Sequence, residues 1–321
     1  GKTKISTDWY NNLPPVWNFD GSSTGQAPGS DSEVELTPIK VFTDPFRPSG
    51  LLVFCASGSA GCNYNDALTT FQYGGVAEHE FWFGIEQEYV LYERDERTIF
   101  GWPHWGFPEE QGKYYCGVGT ANVVGREIIE EHMNKCMAAG LTISGVNAEV
   151  MLGQWEYQIG PCLGIDAAIE LWVSRYILHR VCETYNVVAS LNPKPVKGNW
   201  NGSGCHTNFS TKEMRGNGSK TLFENILNKL SEHHPEHMAV YGENNSERLT
   251  GTHETSNISD FSWGIGDRSA SVRIPKSVVR DGYNGYMEDR RPGSNMDPFL
   301  VTSVLARTIT VSGDMIGTIS D

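Results

Sequence analysis

The stretch FGIEQEYVL, residues 83–91, decides the fold and supplies the first chemical groups of a site. Its apolar and aromatic residues predict a β-strand that is not freely exposed to solvent. Alternate side chains of a strand share one face, so Glu86 and Glu88 project together, about 7 Å apart. Two carboxylates held in this way repel each other unless something positive joins them. The pair therefore predicts a cation site or, as the alternative, a solvated strand edge.

On both sides of this strand, the sequence predicts a mixture of helices and strands. Apolar residues at helical spacing predict four helices, over residues 123–139, 166–185, 220–232 and 298–308. Short apolar runs predict further strands over residues 34–36, 51–54, 141–151 and 187–191. We expect little helix in residues 1–80 and mainly loops in residues 235–295. Because strands and helices do not alternate regularly, the pattern favours an α+β fold with much antiparallel sheet.

The composition limits the classes of protein to which the chain can belong. Its 321 residues include 25 Lys and Arg and 39 Asp and Glu, which gives a net charge of −14. The hydrophobic fraction of 39% is enough for a large core and argues against disorder. No stretch approaches the roughly 18 apolar residues of a membrane span. The acidic balance argues against a nucleic-acid-binding protein that is held by phosphate contacts.

The seven cysteines are odd in number and include no C-x-x-C pair. A disulfide framework or a zinc site is therefore not predicted, and reduced thiols are typical of an intracellular protein. The chain starts at Gly1 without a basic presequence or an apolar signal segment. We expect a cytoplasmic protein, with an organellar form as the alternative.

Four further residues extend the acidic set that Glu86 and Glu88 begin. Glu149 follows an apolar strand, Glu156 lies between two aromatic residues, and His206 and Glu288 lie in polar segments. Each can be a structural residue or a metal ligand, and their spacing does not show that they converge. Five carboxylates and one imidazole form an oxygen-rich set that suits magnesium or manganese better than zinc.

Four arginines near the C-terminal third lie in segments rich in Gly, Ser and Thr: Arg248, Arg268, Arg273 and Arg290. Each alone can be an ordinary surface charge. Together with divalent ions they would suit phosphate and carboxylate groups, which guanidinium binds through two hydrogen bonds. The chain contains neither a P-loop motif nor a G-x-G-x-x-G on a strand. A nucleotide would therefore be held through metals and arginines.

Six blocks of sequence together resemble the eukaryotic-type glutamine synthetase family of ATP-dependent glutamate–ammonia ligases. They are WNFDGSST (17–24), FGIEQEY (83–89), NAEVM (147–151) with QWEYQIGP (154–161), NWNGSGCHTNFS (199–210), RLTGTHETSN (248–257) and EDRRPGSNMDP (288–298). The resemblance implies a truncated N-terminal β-grasp domain over residues 1–60. It also implies a catalytic domain over residues 61–321, with a curved antiparallel sheet and surrounding helices.

The resemblance also implies a role for each matching residue. Two or three magnesium or manganese ions are expected in each site, with Glu88, Glu149 and Glu156 around one ion and Glu86, His206 and Glu288 around the ion that bridges the ATP phosphates. Asn201, Gly202, Arg248 and Arg290 are expected to hold glutamate and the transferred phosphoryl group. The expected ATP contacts are Trp82, Gln158, Asn208, Ser210, Arg268, Arg273 and Tyr286. Asp20 is expected to bind and deprotonate ammonium, and Glu254 to close the site.

The implied reaction transfers the ATP γ-phosphoryl group to the glutamate side chain and then replaces phosphate with ammonia. The implied partners are glutamate, ammonium, ATP and further copies of the chain, in a ring-built oligomer that is expected to be a decamer of two pentamers. In it, the Asp20 loop reaches into a neighbouring subunit. The alternatives are a related carboxylate–amine ligase with another substrate, or a non-catalytic paralogue with a structural or regulatory role, which would have lost part of the ligand set.

Overall fold

A computed structural model describes residues 1–5, 13–58, 63–72 and 75–310. The strands in these residues are β1 (Trp17–Asp20), β2 (Glu33–Thr43), β3 (Leu51–Ser57), β4 (Trp82–Glu93), β5 (Ile143–Ala148), β6 (Gln154–Leu163), β7 (Val187–Ser190), β8 (Cys205–Ser210), β9 (Trp263–Ile265), β10 (Val272–Ile274) and β11 (Met287–Asp289). The helices are α1 (Tyr64–Gln72), α2 (Arg126–Ala139), α3 (Asp166–Tyr185), α4 (Lys212–Gly216), α5 (Lys220–Glu232), α6 (His234–Val240), α7 (Lys276–Arg280) and α8 (Pro298–Thr310).

The strands form two separate sheets. The small sheet has the order β1-β2-β3 and is antiparallel. The large sheet has the order β5-β6-β4-β8-β11-β10-β9, and β7 pairs with the last part of β4. Its pairs are antiparallel except for β9 and β10, which run parallel. The predicted α+β class is therefore confirmed.

The central strand β4 follows the alternation that its sequence predicts. Phe83, Ile85, Tyr89 and Leu91 are fully buried in the main core. Helix α3 packs against β4, β6 and β7, and α2 packs against α3 and β5. Because these helices cover one face of the sheet, Glu86 and Glu88 belong to the opposite face.

The register of the large sheet brings the acidic residues of separate strands side by side. Glu88 lies opposite Glu156 on β6, and Glu86 lies opposite His206 on β8. On the far side of β8, Glu288 of β11 pairs with Asn208. Directly paired residues point to the same face of a sheet, so three strand pairings assemble most of a polar site.

The predicted helices over residues 166–185 and 220–232 have the observed bounds of α3 and α5. The other two predicted helices shift by a few residues, because α2 begins at Arg126 and α8 ends at Thr310. The predicted strands over residues 34–36, 51–54, 141–151 and 187–191 correspond to β2, β3, β5 and β7.

The predictions of little helix in residues 1–80 and of many loops in residues 235–295 were confirmed, and the structure adds short elements to both segments. Residues 1–80 contain α1, whose Tyr64 and Ala67 are buried and which packs against α8. Its sequence, YNDALTTFQ, is a weak helix former, and tertiary packing stabilises the helix. Residues 235–295 consist mainly of loops, as predicted, and they also hold most of α6 together with β9, β10, α7 and β11. The three strands have only three residues each, too few to show a period.

No helix in the described part of the chain combines the length and the apolar character that a membrane crossing requires. Six of the seven cysteines lie in described residues, and these six are free thiols. Cys62 and the predicted domain boundary between residues 60 and 61 lie outside the described residues.

Candidate active site

A cavity of about 530 Å³ lies over the polar face of the large sheet. Strands β4, β5, β6, β8, β10 and β11 contribute to its lining, and six loop segments complete it. The predicted site residues that line it are Glu86, Glu88, Glu149, Glu156, Gln158, Asn201, Gly202, His206, Arg248, Glu254, Arg268, Arg273, Glu288 and Arg290. The fold thus collects in one place residues that are more than 200 positions apart in sequence.

Glu88, Glu149 and Glu156 form the first group of ligands. One carboxylate oxygen from each lies within 4.8 Å of the other two. Burial, and then the charge of Glu149, raises the pKa of Glu88 to about 8. Burial raises the pKa of Glu149 to about 7. Burial and the neighbouring carboxylates also raise the pKa of Glu156. A divalent cation bound among these three buried acids would displace their protons and offset the repulsion between the ionised carboxylates.

Glu86, His206 and Glu288 form the second group, with the same 4.8 Å limit. The Nδ1 atom of His206 lies 3.4 Å from Glu86 Oε2 and 3.6 Å from Glu288 Oε1. Burial, with the charge of Arg290, lowers the pKa of His206, so the imidazole is neutral. The neutral ring is the form that binds a metal ion. Asn208 Nδ2 donates a hydrogen bond of 2.8 Å to Glu86 Oε1.

The two groups fit divalent metal ions. Carboxylate oxygens dominate both, as magnesium and manganese prefer. Opposite ligands of an octahedral ion with bonds of about 2.1 Å lie about 4.2 Å apart, so the observed ligand atoms need to move little. The structure thereby confirms the predicted division of the six residues into two sets of neighbours, while their role as ligands stays a prediction.

A buried hydrogen-bond network fixes the position of Glu88. The backbone N–H of Gly204 donates a hydrogen bond of 2.7 Å to Glu88 Oε2. On the other side of the strand, Gln87 Nε2 donates to the carbonyl oxygens of Glu88 (2.8 Å) and Ser294 (3.0 Å). The guanidinium of Arg175 in turn donates to Gln87 Oε1, at 2.7 Å. Such supporting bonds orient a ligand before the metal binds.

Two of the cavity's arginines contact one of the acidic residues directly. Arg273 Nε donates to Glu288 Oε2, and Arg290 NH1 donates to Glu288 Oε1 at 2.7 Å. Arg248 is buried, and its NH2 group donates to the carbonyl oxygens of residues 290, 291 and 292 at 2.7–3.0 Å. Burial lowers the pKa of Arg248 to about 10, so the group stays cationic at neutral pH. The cavity therefore offers fixed positive charges beside its metal groups.

Glu254 lies on a turn whose backbone is held from outside. Both His253 and Glu254 have positive φ angles, 54° and 58°. Arg290 NH2 donates to the carbonyl oxygen of Glu254 at 3.3 Å, and Arg268 NH1 lies 3.5 Å from Glu254 Oε2. The side chain of Glu254 is about half exposed, so it stands at the mouth of the cavity.

The predicted glutamate-binding loop needs a glycine at its centre. A Cβ atom on Gly202 would lie 2.4 Å from Arg248 Cγ and 2.7 Å from the carbonyl oxygen of Pro193. Gln154 Nε2 donates a hydrogen bond of 2.9 Å to the carbonyl oxygen of Gly202. Only glycine lets the backbone approach Arg248 so closely, which brings the loop to the edge of the cavity.

A second cavity, of about 420 Å³, adjoins the first at Glu86 and Gln158, which line both. The other predicted ATP contacts line this cavity: Trp82, Asn208, Ser210 and Tyr286. The rings of Trp82 and Tyr286 are partly exposed, and the Arg215 guanidinium stacks 4.1 Å from the Trp82 ring centre. The flat base of a nucleotide would suit this cleft, and the phosphates of that nucleotide would then be directed toward the two acidic groups.

Asp20 is the one predicted site residue that a single chain does not bring to either cavity. It lies at the end of β1 in the small sheet and is exposed. Ser22 and Ser23 donate hydrogen bonds to its carboxylate and lower its pKa to about 2. Asp20 is therefore ionised, but it is not part of the site within one copy.

Several residues of the first cavity were missed by sequence reasoning: Gln111, Gly112, Tyr115, Asn147, Val150, His253 and Thr255. Four of them, Asn147, Val150, His253 and Thr255, lie inside the quoted blocks, so position in a block was a signal that could have found them. Gln111 and Tyr115 lie in a stretch rich in Gly, Pro and aromatic residues, where no spacing pattern marks a functional residue.

Two acidic groups, fixed arginines and an adjoining aromatic cleft are the features that an enzyme using metal ions and a nucleotide would need. The family model for the glutamine synthetase catalytic domain matches residues 65–310. The glutamine synthetase of Kluyveromyces lactis is 51% identical over 304 residues, which cover 92% of this chain and 80% of that protein. The nodule isozyme of glutamine synthetase from Lupinus luteus is 52% identical over 92% of this chain and 85% of its own length. The chain belongs to the glutamine synthetase family.

A solved structure of GmaS, in the apo form without ligand, matches with a TM-score of 0.72 over 91% of this chain and 69% of that chain. Its sequence identity is 19%, so it supports the fold alone. Membership of the family makes the chain a ligase that uses ATP and divalent metal ions. This is consistent with the two ligand groups that the sheet assembles.

Proposed function

We propose that the chain joins ammonia to the side-chain carboxylate of L-glutamate at the expense of ATP, with γ-glutamyl phosphate as the intermediate. The products are L-glutamine, ADP and phosphate. The observation that carries this proposal is the placement of two three-residue ligand groups and four arginines in one cavity, which an aromatic cleft adjoins. This arrangement would let the glutamate carboxylate and the ATP triphosphate bind on the same face of the sheet.

The six ligands would hold magnesium or manganese ions, which neutralise phosphate charge and orient the oxygens of both substrates. Glu86, His206 and Glu288 lie nearer the aromatic cleft, since Glu86 lines both cavities. We therefore assign this group to the ATP phosphates. The remaining group, Glu88 with Glu149 and Glu156, then serves the glutamate and ammonium side.

The arginines stabilise the charge that moves from ATP to glutamate. Arg268 and Arg273 would face the ATP phosphates, and Arg248 and Arg290 the glutamate and the transferred phosphoryl group. Arg290 is held by Glu288 and by the carbonyl oxygens of residues 254 and 268. A fixed cation loses little entropy on binding its anion, so it serves the transition state well.

Ammonium requires an anionic site and a proton acceptor. Glu254 stands at the cavity mouth, whereas Asp20 is absent from it, so we propose that Asp20 of a neighbouring copy completes the site. Its ionised carboxylate would attract ammonium and accept the proton as the new C–N bond forms. The active unit is then a ring-built homo-oligomer, which we propose is a decamer of two pentamers, and we propose a cytoplasmic location.

The experiment incubates the protein with ATP, magnesium, glutamate and ammonium and measures phosphate and glutamine together. We expect equal amounts of both, and a Glu254→Ala variant should release phosphate with less glutamine. Methylamine in place of ammonium tests the related-ligase alternative. Absence of glutamine from assembled protein would refute the proposal, as would a clear preference for methylamine.

A further inference from the structure

The side chain of Gln111 joins two loops of the cavity. The backbone N–H of Asn201 donates a hydrogen bond of 2.7 Å to Gln111 Oε1. The Nε2 atom of Gln111 lies 3.2 Å from His253 Nδ1. Asn201 belongs to the proposed glutamate-binding loop, and His253 immediately precedes Glu254. One side chain therefore links the glutamate-binding loop to the turn at the cavity mouth.

The chemistry of the partners fixes the orientation of this amide. A backbone N–H can only donate, so the oxygen of Gln111 must face Asn201 and its NH₂ group must face His253. That NH₂ group donates, so His253 Nδ1 accepts and carries no proton. Burial lowers the pKa of His253, which agrees with a neutral ring that has its proton on Nε2.

The turn that Gln111 contacts has a backbone that needs external support. His253 and Glu254 are consecutive residues with positive φ, a region that residues other than glycine rarely adopt. Within the turn, Thr255 Oγ1 donates to the carbonyl oxygen of Thr252 at 2.8 Å. From outside, Arg290 reaches the carbonyl oxygen of Glu254 and Gln111 reaches the His253 ring. Loss of either outside contact would free the turn to relax.

We propose that Gln111 is a positioning residue that holds the Glu254 turn over the cavity when the Asn201 loop is in place. The inference rests on the proposed function, because it concerns which nucleophile reaches the acyl phosphate. With the turn closed, ammonia attacks the acyl carbon and phosphate leaves. With the turn displaced, water attacks the same carbon, phosphate leaves, a proton is released, and glutamate is regenerated. Gln111 thus couples ATP use to amide formation.

The test compares Gln111→Met with the wild type and with Glu110→Gln, an exposed neighbour, as the matched control. The readout is glutamine formed per phosphate released at saturating substrates. Gln111→Met keeps the side-chain length and loses both hydrogen bonds. Loss of ordinary hydrogen bonds corresponds to about a threefold to tenfold fall in this ratio, with phosphate release retained. Glu110→Gln should keep the wild-type ratio.

Substitutions of the partner test the same contact from the other side. His253→Ala should lower the ratio as Gln111→Met does, and the double variant should be no worse than either single variant. His253→Asn keeps an acceptor for the amide, so it should recover part of the coupling that His253→Ala loses. An unchanged ratio in Gln111→Met, or additive losses in the double variant, would overturn the inference.

Amide hydrogen exchange separates this inference from the proposed function. In Gln111→Met, the amides of residues 252–256 should exchange faster than in the wild type, whether or not glutamine is made. If the wild type makes no glutamine, the proposed function fails while the exchange result still decides the positional role of Gln111. Unchanged exchange in this segment would refute that role.

Discussion

Replacing Glu88 by Gln should change the stability of the protein in opposite directions with and without metal. Glu88 is fully buried beside Glu149, and burial with this neighbouring charge raises its pKa to about 8, against 4.5 for the unperturbed group. Gln has nearly the same shape and can still accept the hydrogen bond from Gly204. The substitution therefore removes an ionisable group and a metal ligand while it leaves the local packing largely intact.

The magnitude follows from the two pKa values. At pH 7 an unfolded Glu is ionised, whereas folding keeps Glu88 mostly protonated. At 1.36 kcal/mol per pKa unit, this difference lowers the free energy of unfolding by about 3 kcal/mol. With about 2.1 cal/mol/K of unfolding entropy per residue, 3 kcal/mol corresponds to about 4 °C in Tm for this chain. Without metal, Glu88→Gln should therefore raise Tm by about 4 °C.

In the presence of a divalent metal ion, the wild type should be more stable than Glu88→Gln. A divalent ion present at about 1,000 times its Kd stabilises the folded state by about 4.1 kcal/mol for each site, which is more than the roughly 3 kcal/mol that Glu88 costs without metal. The wild type should gain this stabilisation, and Glu88→Gln should gain much less, because one of three carboxylate ligands is lost. The assay is thermal denaturation in chelator and in magnesium, with the exposed Glu110→Gln as control.

Two results would refute this reasoning. If the wild type has the same Tm in chelator and in magnesium, the acidic groups do not hold a divalent ion. If Glu88→Gln lowers Tm in chelator as well, then the carboxylate stabilises the metal-free fold, contrary to its buried position beside other acids.

Two further predictions concern pH and subunit assembly. In chelator, the folded-state pKa of Glu88 lies above the unfolded value, so its contribution to folding stability is full below about pH 4.5 and is lost as pH rises through about 8. The Tm of the wild type should therefore fall over this pH window, and the Tm of Glu88→Gln should fall less. Equal slopes for the two proteins would contradict the raised pKa of Glu88. If Asp20 completes a neighbour's site, Asp20→Asn and Glu254→Gln should each be inactive in glutamine synthesis, yet their coexpressed mixture should regain about a quarter of the wild-type activity. A quarter is expected because half of the copies supply an intact Glu254 and half of their neighbours supply an intact Asp20. No recovery in glutamine assays of mixed oligomers would contradict a shared site.

The sequence was sufficient to predict most of the residues that line the two cavities. The blocks around Glu86, Glu149, His206 and Glu288 could be recognised as local patterns, because each ligand lies in a short segment of distinctive composition. The strand containing Glu86 and Glu88 was also predictable, since its alternation is strong and its length is ample. Local order of this kind depends on neighbours in sequence, which a sequence shows directly.

Other features depended on contacts that no local pattern contains. Helix α1 has a weak helical sequence, and packing of Tyr64 and Ala67 against the core stabilises it. Gln111 lies in no recognisable motif. Its position matters only because Asn201 and His253, which are 90 and 142 positions away in sequence, contact its side chain. The pairing of Glu88 with Glu156 needed the register of β4 and β6, which sequence spacing does not set.

By itself, the sequence determined the strand alternation, the identities of the carboxylate, imidazole and guanidinium groups, and the family. Only the tertiary structure decided that the side-chain atoms of each predicted group lie within 4.8 Å of one another, that an aromatic cleft adjoins the two groups, and that Asp20 stands apart from them in a single chain. The physical reason is that side-chain chemistry is local, whereas convergence comes from strand register and loop closure, which depend on the whole packed chain.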